Sequence, residues 1–341
     1  MAEVQVNKIG LSKQDYTGLP STLCKGCGHD SITAGIIQAC YEMSQDPYQL
    51  IKMSGIGCSS KSPAYFLNRS HGFNSVHGRA PSVSTGAKLA DHRSKILLVS
   101  GDGDSANIGL GQYIHSIRRN TDMLYIVENN GTYGLTKGQF SATADMGTPD
   151  HYGETNLFHP IDLAQLAVEM GASFVARSFS GDRKQLIPLI KAGLSHRGCA
   201  VIDVISPCVT FMDHETSTKS YAYVKEHDIP LQEVGYVPYY EEISVDYPPG
   251  EVKEITLHNG SHMYLKKLAE DYDPTNRANA LITVEKGMRE KNIITGLIYY
   301  QKDAMTLEDT LKLTETPLRD LTEKELRPQR DAFEAFVHDL K

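Results

Sequence analysis

Two short polar motifs contain the residue types that bind a metal ion together with phosphate groups. Each follows an apolar, strand-like run: Gly101-Asp102-Gly103-Asp104 comes first and Asn129-Asn130 second. The chain between them has about the length of one crossover helix and one strand, so we expect both motifs at the carboxyl ends of adjacent parallel strands, where open α/β sheets bind ligands. The Asp102 carboxylate, the Asn130 amide oxygen and the Thr132 carbonyl would form a hard oxygen site for Mg²⁺ that leaves room for phosphate oxygens.

A dinucleotide-binding fold is the competing interpretation of the first motif. The run from Gly101 to Ala106 also fits the loose pattern G-x-G-x-x-A, which is weak on its own. Two acidic residues in this turn would repel a pyrophosphate unless a cation lay between them, and paired asparagines have no role in that fold. The sequence here resembles thiamine diphosphate enzymes, whose signature is a GDG followed one helix and one strand later by NN.

The six cysteines fall into two groups by their local sequence. Cys40 lies in a helix-like run and Cys199 in a strand-like run, so we expect both to be small buried hydrophobic residues. The other four lie in turns rich in glycine or proline, where thiolates can converge on a metal: Cys24, Cys27, Cys58 and Cys208. Four thiolates suit either zinc or an iron–sulfur cluster, and spacing alone does not choose between them. A disulfide framework is not expected in a chain of this size without a secretory signal.

Six motifs, taken in order, closely resemble the β subunit of 2-oxoacid:ferredoxin oxidoreductases over about residues 18–215. They are C-x-G-C-G-H at 24–29, I-G-C at 56–58, H-G-R-A at 77–80, GDGD at 101–104, N-N-x-x-Y-G-x-T-x-G-Q at 129–139 and S-P-C at 206–208. One departure is Lys25, where many relatives carry proline, a position that ligates nothing. The resemblance implies thiamine diphosphate, Mg²⁺ and one [4Fe–4S] cluster that the four turn cysteines hold close to the thiamine ring.

The resemblance also implies roles for further residues. Those expected to line the cofactor are Ile56, Gly57, Cys58, Ser59, His77, Gly103, Asp104, Gly134 and Leu135. Lys61 is the candidate catalytic residue, since a fixed cation near the reacting end of thiamine would contact the carboxylate of a 2-oxoacid; a solvated lysine is the ordinary alternative. His77 has the alternative of an ordinary surface histidine. His29 either orients the Cys27 loop or contacts the cofactor.

Composition and charge limit the class of protein. The chain has 341 residues, of which 40% are hydrophobic and 22% charged, and a net charge of −8. These values are ordinary for a soluble globular protein, and the negative charge argues against nucleic acid as the main partner. No apolar stretch approaches the ~18 residues that span a bilayer, and the N-terminus has no signal-peptide pattern. We therefore expect a cytoplasmic protein.

Strand-like and helix-like runs alternate up to about residue 205, which predicts an α/β fold with a doubly wound, mostly parallel sheet. The helix that follows the GDGD loop is predicted over 107–119. We divide the chain into an N-terminal arm (1–20), a thiamine diphosphate and [4Fe–4S] domain (21–212) and a C-terminal extension (213–341) that forms a subunit interface. Beyond Met212 prolines and tyrosines are frequent, no strand–helix alternation is expected, and a terminal helix is predicted after Leu321.

The region before Gly101 is too short for a second domain of ordinary length, ~150 residues, and already holds the cysteine and His-Gly-Arg motifs. The pyrimidine half of a thiamine site must then come from a partner, which the resemblance identifies as the α subunit of an α₂β₂ heterotetramer. The implied reaction is the coenzyme A-dependent oxidative decarboxylation of a 2-oxoacid to acyl-CoA and CO₂ with reduction of ferredoxin, or its reverse. Lys61 and Leu135 favour 2-oxoglutarate over pyruvate. A zinc-stabilised non-catalytic subunit and an NAD-dependent oxidoreductase are the alternatives from other classes.

Overall fold

The computed structural model of the chain describes residues 5–150, 152–211, 241–257 and 262–340. Within these residues the strands are Leu50–Ser54 (β1), His71–Asn74 (β2), Lys95–Gly101 (β3), Met123–Asn129 (β4), Thr132–Tyr133 (β5), Gln139–Phe140 (β6), Phe174–Phe179 (β7), Cys199–Ile205 (β8), Val252–Thr256 (β9), His262–Lys267 (β10) and Ile293–Tyr300 (β11). The α-helices are Gly28–Glu42 (α1), Ala80–Ala90 (α2), Leu110–Arg118 (α3), Leu163–Glu169 (α4), Arg183–Ser195 (α5), Arg277–Arg289 (α6), Leu307–Leu311 (α7), Glu323–Leu326 (α8) and Arg330–Asp339 (α9).

Nine of the described strands form one sheet in the order β2-β1-β3-β4-β8-β7-β11-β10-β9, and β5 pairs with β6 in a separate hairpin. The six strands from β2 to β7 in this order are all parallel to their neighbours. Strand β11 runs antiparallel to β7, and β9 runs antiparallel to β10. The predicted α/β fold with a mostly parallel sheet is confirmed.

Two hydrophobic cores lie on opposite faces of the sheet because successive strand residues point to opposite sides. In β4, Leu124 and Ile126 belong to the core that contains α1 and α5, whereas Tyr125 and Val127 belong to the core that contains α3, α4 and α6. All seven residues of β4 are buried, as expected for a central parallel strand that is covered on both faces. Helices therefore cover both faces, which confirms the doubly wound arrangement.

The register of the central strands brings the predicted motifs to one edge. Gly101 at the end of β3 pairs with Glu128 in β4, and Asn129 at the end of β4 pairs with Ile205 in β8. Ser54 in β1 is level with Val99 in β3. The loops that contain Cys58, the GDGD motif, the asparagine pair and Cys208 therefore all start at the same carboxyl edge.

The helix predicted over 107–119 is interrupted. Gly103–Ile108 forms a π-helical turn, and the α-helix begins only at Leu110. A Cβ atom at Gly109 would lie 2.3 Å from the Asp104 carbonyl oxygen, so the chain needs glycine where the wide turn passes into α3. π-Helical turns of this kind are frequent at functional sites.

The expectation that the chain beyond Met212 has no strand–helix alternation is wrong. Strand β10, helix α6 and strand β11 form a parallel strand–helix–strand unit that continues the same sheet. The signal was weak because β10 buries only Met263 and Leu265, so its apolar pattern is sparse. Residues 212–240, with part of the tyrosines and prolines noted above, lie outside the described residues. The predicted terminal helix after Leu321 is present as α8 and α9.

The described residues contain no helix with both the length and the apolar character that a membrane crossing requires.

Candidate functional site

Asp102 is buried at the start of the π-helical turn, with 1% of its surface exposed. Its carboxylate accepts hydrogen bonds from the Gly131 amide at 3.0 Å, the Thr143 hydroxyl at 2.7 Å and the Ser141 hydroxyl. The Asn130 amide also points to it at 3.3 Å, and the Asn130 side-chain oxygen accepts from the Thr132 amide. The three candidate Mg²⁺ ligands, Asp102, Asn130 and Thr132, are thus neighbours linked by hydrogen bonds.

Asp104 lies in the same turn, and its side chain is also buried. Its carboxylate accepts hydrogen bonds from the Ser100 hydroxyl and the Gly78 amide, both at 2.7 Å, and contacts the His77 ring nitrogen Nδ1. A Cβ atom at Gly55 would come within 1.8 Å of Asp104 Oδ2. Asp104 therefore links three loops of the sheet edge and fixes the orientation of His77.

Tyr133 is a component of the site that the sequence interpretation did not single out. Its hydroxyl donates to the Gly103 carbonyl at 2.8 Å, and its ring packs edge-on against His77 with the centroids 5.9 Å apart. A Cβ atom at Gly103 would lie 2.5 Å from the Tyr133 ring, so glycine is required there for close approach. Burial, followed by the charges of Asp102 and Asp104, raises the pKa of Tyr133 to about 12. Its position within the motif run at 129–139 was the available signal.

One cavity at the carboxyl edge collects the predicted residues. Its wall contains all nine residues expected to line the cofactor, the three candidate Mg²⁺ ligands, and also His29, Gly101, Glu128, Tyr133 and Thr136. Lys61 is not part of this wall and lies half-buried on the 59–64 turn. Burial raises the pKa of the Cys58 thiol, and the charge of Lys61 partly offsets this increase. The cavity is thus built from loops after β1, β2, β3 and β4 and from the start of α1.

The cysteines separate as the local sequence predicts. Cys40 and Cys199 are fully buried in the two cores, and burial raises the pKa of each thiol to about 12. The four turn cysteines are half-buried, and none of them is in a disulfide. Burial, then the charges of Cys208 and Cys24, raises the pKa of the Cys27 thiol.

The pKa of the Cys208 thiol also depends on other turn cysteines. Burial, and more weakly Cys58 and Cys24, raises the pKa of the Cys208 thiol to about 12, against the Thr210 and Phe211 amides that lower it. A Cβ atom at Gly134 would lie 3.4 Å from Cys58 Sγ and 3.9 Å from Cys208 Sγ, so both sulfur atoms lie beside this glycine. Among the described residues, no three histidine, cysteine, aspartate or glutamate side chains converge as ligands of one metal ion.

Glu128 is a second site residue that the sequence interpretation missed, although it directly precedes the asparagine pair. It is fully buried, and the Ser62 hydroxyl lies 3.1 and 3.0 Å from its two oxygens. His29 Nδ1 is 3.8 Å from Glu128 and 2.7 Å from the Ser206 hydroxyl. Burial raises the pKa of Glu128 well above its usual range and lowers that of His29 to about 4.

A hydrogen-bonded chain supports the site from below. Asn129 donates to Asp203 at 2.9 Å, and Asp203 accepts from Arg177 Nε at 2.8 Å. The Thr143 hydroxyl lies 2.9 Å from the Asn129 side-chain oxygen and 2.7 Å from Asp102, and its single hydrogen can go to only one of them. The first asparagine of the pair thus has a supporting position, whereas Asn130 faces the cavity.

Comparisons with known proteins agree with this geometry. Residues 55–204 match the family model of the thiamine pyrophosphate enzyme C-terminal binding domain. The 2-oxoglutarate synthase subunit KorB of Methanocaldococcus jannaschii is 36% identical over 220 residues, which are 62% of this chain and 80% of that protein. The chain belongs to the family of 2-oxoacid:ferredoxin oxidoreductase β subunits.

Other members of this family give matches of different extent. The 2-oxoacid:ferredoxin oxidoreductase subunit beta of Saccharolobus solfataricus is 40% identical over 194 residues, so the chain spans 64% of its length, a little under two thirds. Residues 262–316 match the C-terminal region of the pyruvate ferredoxin oxidoreductase beta subunit, the region that contributes β10, α6 and β11 to the sheet here. A 2-oxoglutarate:ferredoxin oxidoreductase structure from Magnetococcus marinus, with 2-oxoglutarate, coenzyme A and succinyl-CoA bound, covers 98% of this chain and 97% of the matched chain. Its TM-score is 0.75 and its sequence identity 26%.

Proposed function

We propose that this β subunit contributes the diphosphate and iron–sulfur half of an enzyme that converts a 2-oxoacid and coenzyme A to acyl-CoA and CO₂ while reducing ferredoxin, and that can run in reverse. The observation that supports this most directly is one cavity with two kinds of wall. Asp102 and Asn130 line it together with Cys58 and Gly134, and Gly134 also lies beside Cys208.

The residues of the cavity fit thiamine diphosphate with Mg²⁺. Asp102, Asn130 and the Thr132 carbonyl would hold the ion, because carboxylate, amide and carbonyl oxygens are the ligands that Mg²⁺ prefers. Gly55, Gly101 and Gly103 keep the loops close together, where a Cβ atom would meet a side chain at 1.8 to 2.9 Å. Bound thiamine diphosphate supplies a carbanion that adds to the keto carbon and stabilises the negative charge left when CO₂ departs.

The four turn cysteines fit one [4Fe–4S] cluster. Cys58 and Cys208 both lie beside Gly134 at the cofactor cavity, and the charges of Cys208 and Cys24 affect the pKa of the Cys27 thiol. Metal binding requires the thiolates, and a cluster would supply the positive charge that the buried, mutually repelling thiolates lack. A zinc site with the same ligands is the competing outcome, and the visible spectrum distinguishes the two.

Among substrates we favour 2-oxoglutarate, with pyruvate as the alternative. Two features support this preference: the half-buried Lys61, three residues after Cys58 of the cavity wall, and the apolar, half-exposed side chain of Leu135 in that wall. The KorB relatives and the Magnetococcus marinus structure are of the 2-oxoglutarate type. The pyrimidine-binding half of the site and its activating glutamate are assigned to an α subunit in an α₂β₂ assembly.

The test is anaerobic co-expression with a candidate α subunit, followed by viologen reduction with a panel of 2-oxoacids and coenzyme A. We expect turnover with 2-oxoglutarate, a brown protein, and no CO₂ release by the β subunit alone. Cys208→Ser should lose iron and colour, whereas the matched variant Cys40→Ser, in the core, should keep both. Activity with no 2-oxoacid, or full iron retention in Cys208→Ser, would refute the respective assignment.

A further inference from the structure

Four buried polar side chains form one connected group, here called the Glu128 network: Glu128, Ser62, His29 and Ser206. None is more than 1% exposed. The Ser62 hydroxyl contacts both Glu128 oxygens, at 3.1 and 3.0 Å. His29 Nδ1 is hydrogen-bonded to the Ser206 hydroxyl at 2.7 Å and lies 3.8 Å from Glu128. These contacts join residues that are 66 and 177 positions apart in the chain.

Each outer member of the Glu128 network stands next to a different cysteine turn. His29 follows Cys27 by two residues, Ser62 follows Cys58 on the same 3₁₀ turn, and Ser206 precedes Cys208 by two residues. Glu128 itself is near the end of the central strand β4, which is buried along its whole length. Glu128 is therefore hydrogen-bonded to the Cys58 turn and lies next to His29, which in turn bonds the Cys208 turn.

We infer that Glu128 is a positioning residue that holds the three cysteine-bearing turns at the spacing the iron–sulfur ligands need. This rests on the proposed function, because it presumes that Cys24, Cys27, Cys58 and Cys208 bind the cluster. The physical reason is preorganisation: four like-charged thiolates repel one another, and ligands that are not held in place separate when the metal is absent. Residues that orient metal ligands from behind typically change metal affinity 10- to 100-fold when they are replaced.

The chain offers variants that isolate this role. Ser62→Ala removes the hydroxyl that donates to the Glu128 carboxyl group. Glu128→Gln keeps the side-chain shape and one acceptor oxygen, whereas Glu128→Ala removes the side-chain shape and both oxygens. Ser116→Ala is the matched control, since Ser116 is also fully buried and bonded but lies in α3, away from every cysteine turn. The full-length chain is purified anaerobically, and three quantities are measured: iron per chain, the rate of iron release to a chelator, and the midpoint of urea unfolding.

We expect Ser62→Ala and Glu128→Ala to release iron about tenfold faster than the unmodified protein. Glu128→Gln should restore a rate within about threefold of it, and Ser116→Ala should match it. In the double variant Ser62→Ala/Glu128→Ala the rate should equal that of Glu128→Ala, because the shared hydrogen bond is already lost. If Glu128→Ala does not fold, Ser62→Ala and Glu128→Gln alone decide the question.

Three outcomes would overturn the inference. Unchanged iron release in Ser62→Ala and Glu128→Ala would refute it while leaving the proposed cluster intact. Variants that lower the urea midpoint without faster iron release would reduce Glu128 to a structural residue. Weaker thiamine diphosphate binding in the variants with normal iron would assign Glu128 to the cofactor instead. An unmodified chain that binds no iron would refute the proposed cluster itself, and the inference with it.

Discussion

Replacing Arg177 with methionine tests whether the buried ion pairs beneath the site stabilise the fold. Arg177 is 5% exposed, and its guanidinium bonds Asp203 at 2.8 Å and also Asp162. Burial opposes its charge, but the two carboxylates outweigh burial and raise the pKa of the guanidinium above its usual range. Methionine replaces the aliphatic part of the side chain and has no charge, so both carboxylates would lose their cation inside the protein.

The expected loss follows from burial. Removing one partner of a buried ion pair costs about 3–5 kcal/mol, because the remaining charge is left without compensation. An exposed pair is worth about 0–1 kcal/mol. The chain offers a matched control in Lys184 and Asp246, whose side chains are 76% and 63% exposed and 2.5 Å apart. Lys184→Ala should therefore lower the free energy of unfolding by no more than about 1 kcal/mol.

Equilibrium urea unfolding of the three proteins at pH 7, followed by circular dichroism, gives the comparison. Adding Asp203→Asn to Arg177→Met should recover part of the loss, since one of the two uncompensated charges is then gone. If Arg177→Met and Lys184→Ala lower the unfolding free energy equally, the argument from burial is refuted.

Asp102→Ala and Asn130→Ala should each weaken thiamine diphosphate binding to the assembled complex by at least tenfold, which corresponds to ~1.4 kcal/mol per tenfold step. Unchanged affinity, measured by calorimetry, would contradict the Mg²⁺ assignment. Gly55→Ala, whose Cβ would lie 1.8 Å from Asp104 Oδ2, should destabilise the protein by about 1–3 kcal/mol in thermal unfolding, whereas Gly86→Ala, with open space around it, should not. Burial holds the pKa of His196 at about 4, so the unfolded chain binds the proton first as the pH falls. Stability should therefore decrease as the pH drops from about 6.5 to 4. His196→Gln should reduce this decrease by up to about 3 kcal/mol.

The parts of the fold that the sequence determined are those encoded by local patterns. Apolar runs ending in polar or glycine-rich loops located β3, β4 and β8, because a buried parallel strand is apolar along its whole length. The same rule placed the GDGD and asparagine motifs at one edge. Local pattern also separated Cys40 and Cys199 from the four turn cysteines.

The tertiary structure decided what depends on contacts between distant segments. Strand β11 pairs with β7 in antiparallel orientation, and nothing in the local sequence of either strand specifies that partner. Glu128 could be placed at the end of β4 from the sequence, but its contact with Ser62 joins positions 66 residues apart, and that between His29 and Ser206 spans 177. Asp102 and Asp104 look equivalent in the motif, yet the π-helical turn aims them at different loops. Side-chain periodicity fixes which face of an element is buried, whereas the partner that each buried polar group finds is set only when the loops pack against one another.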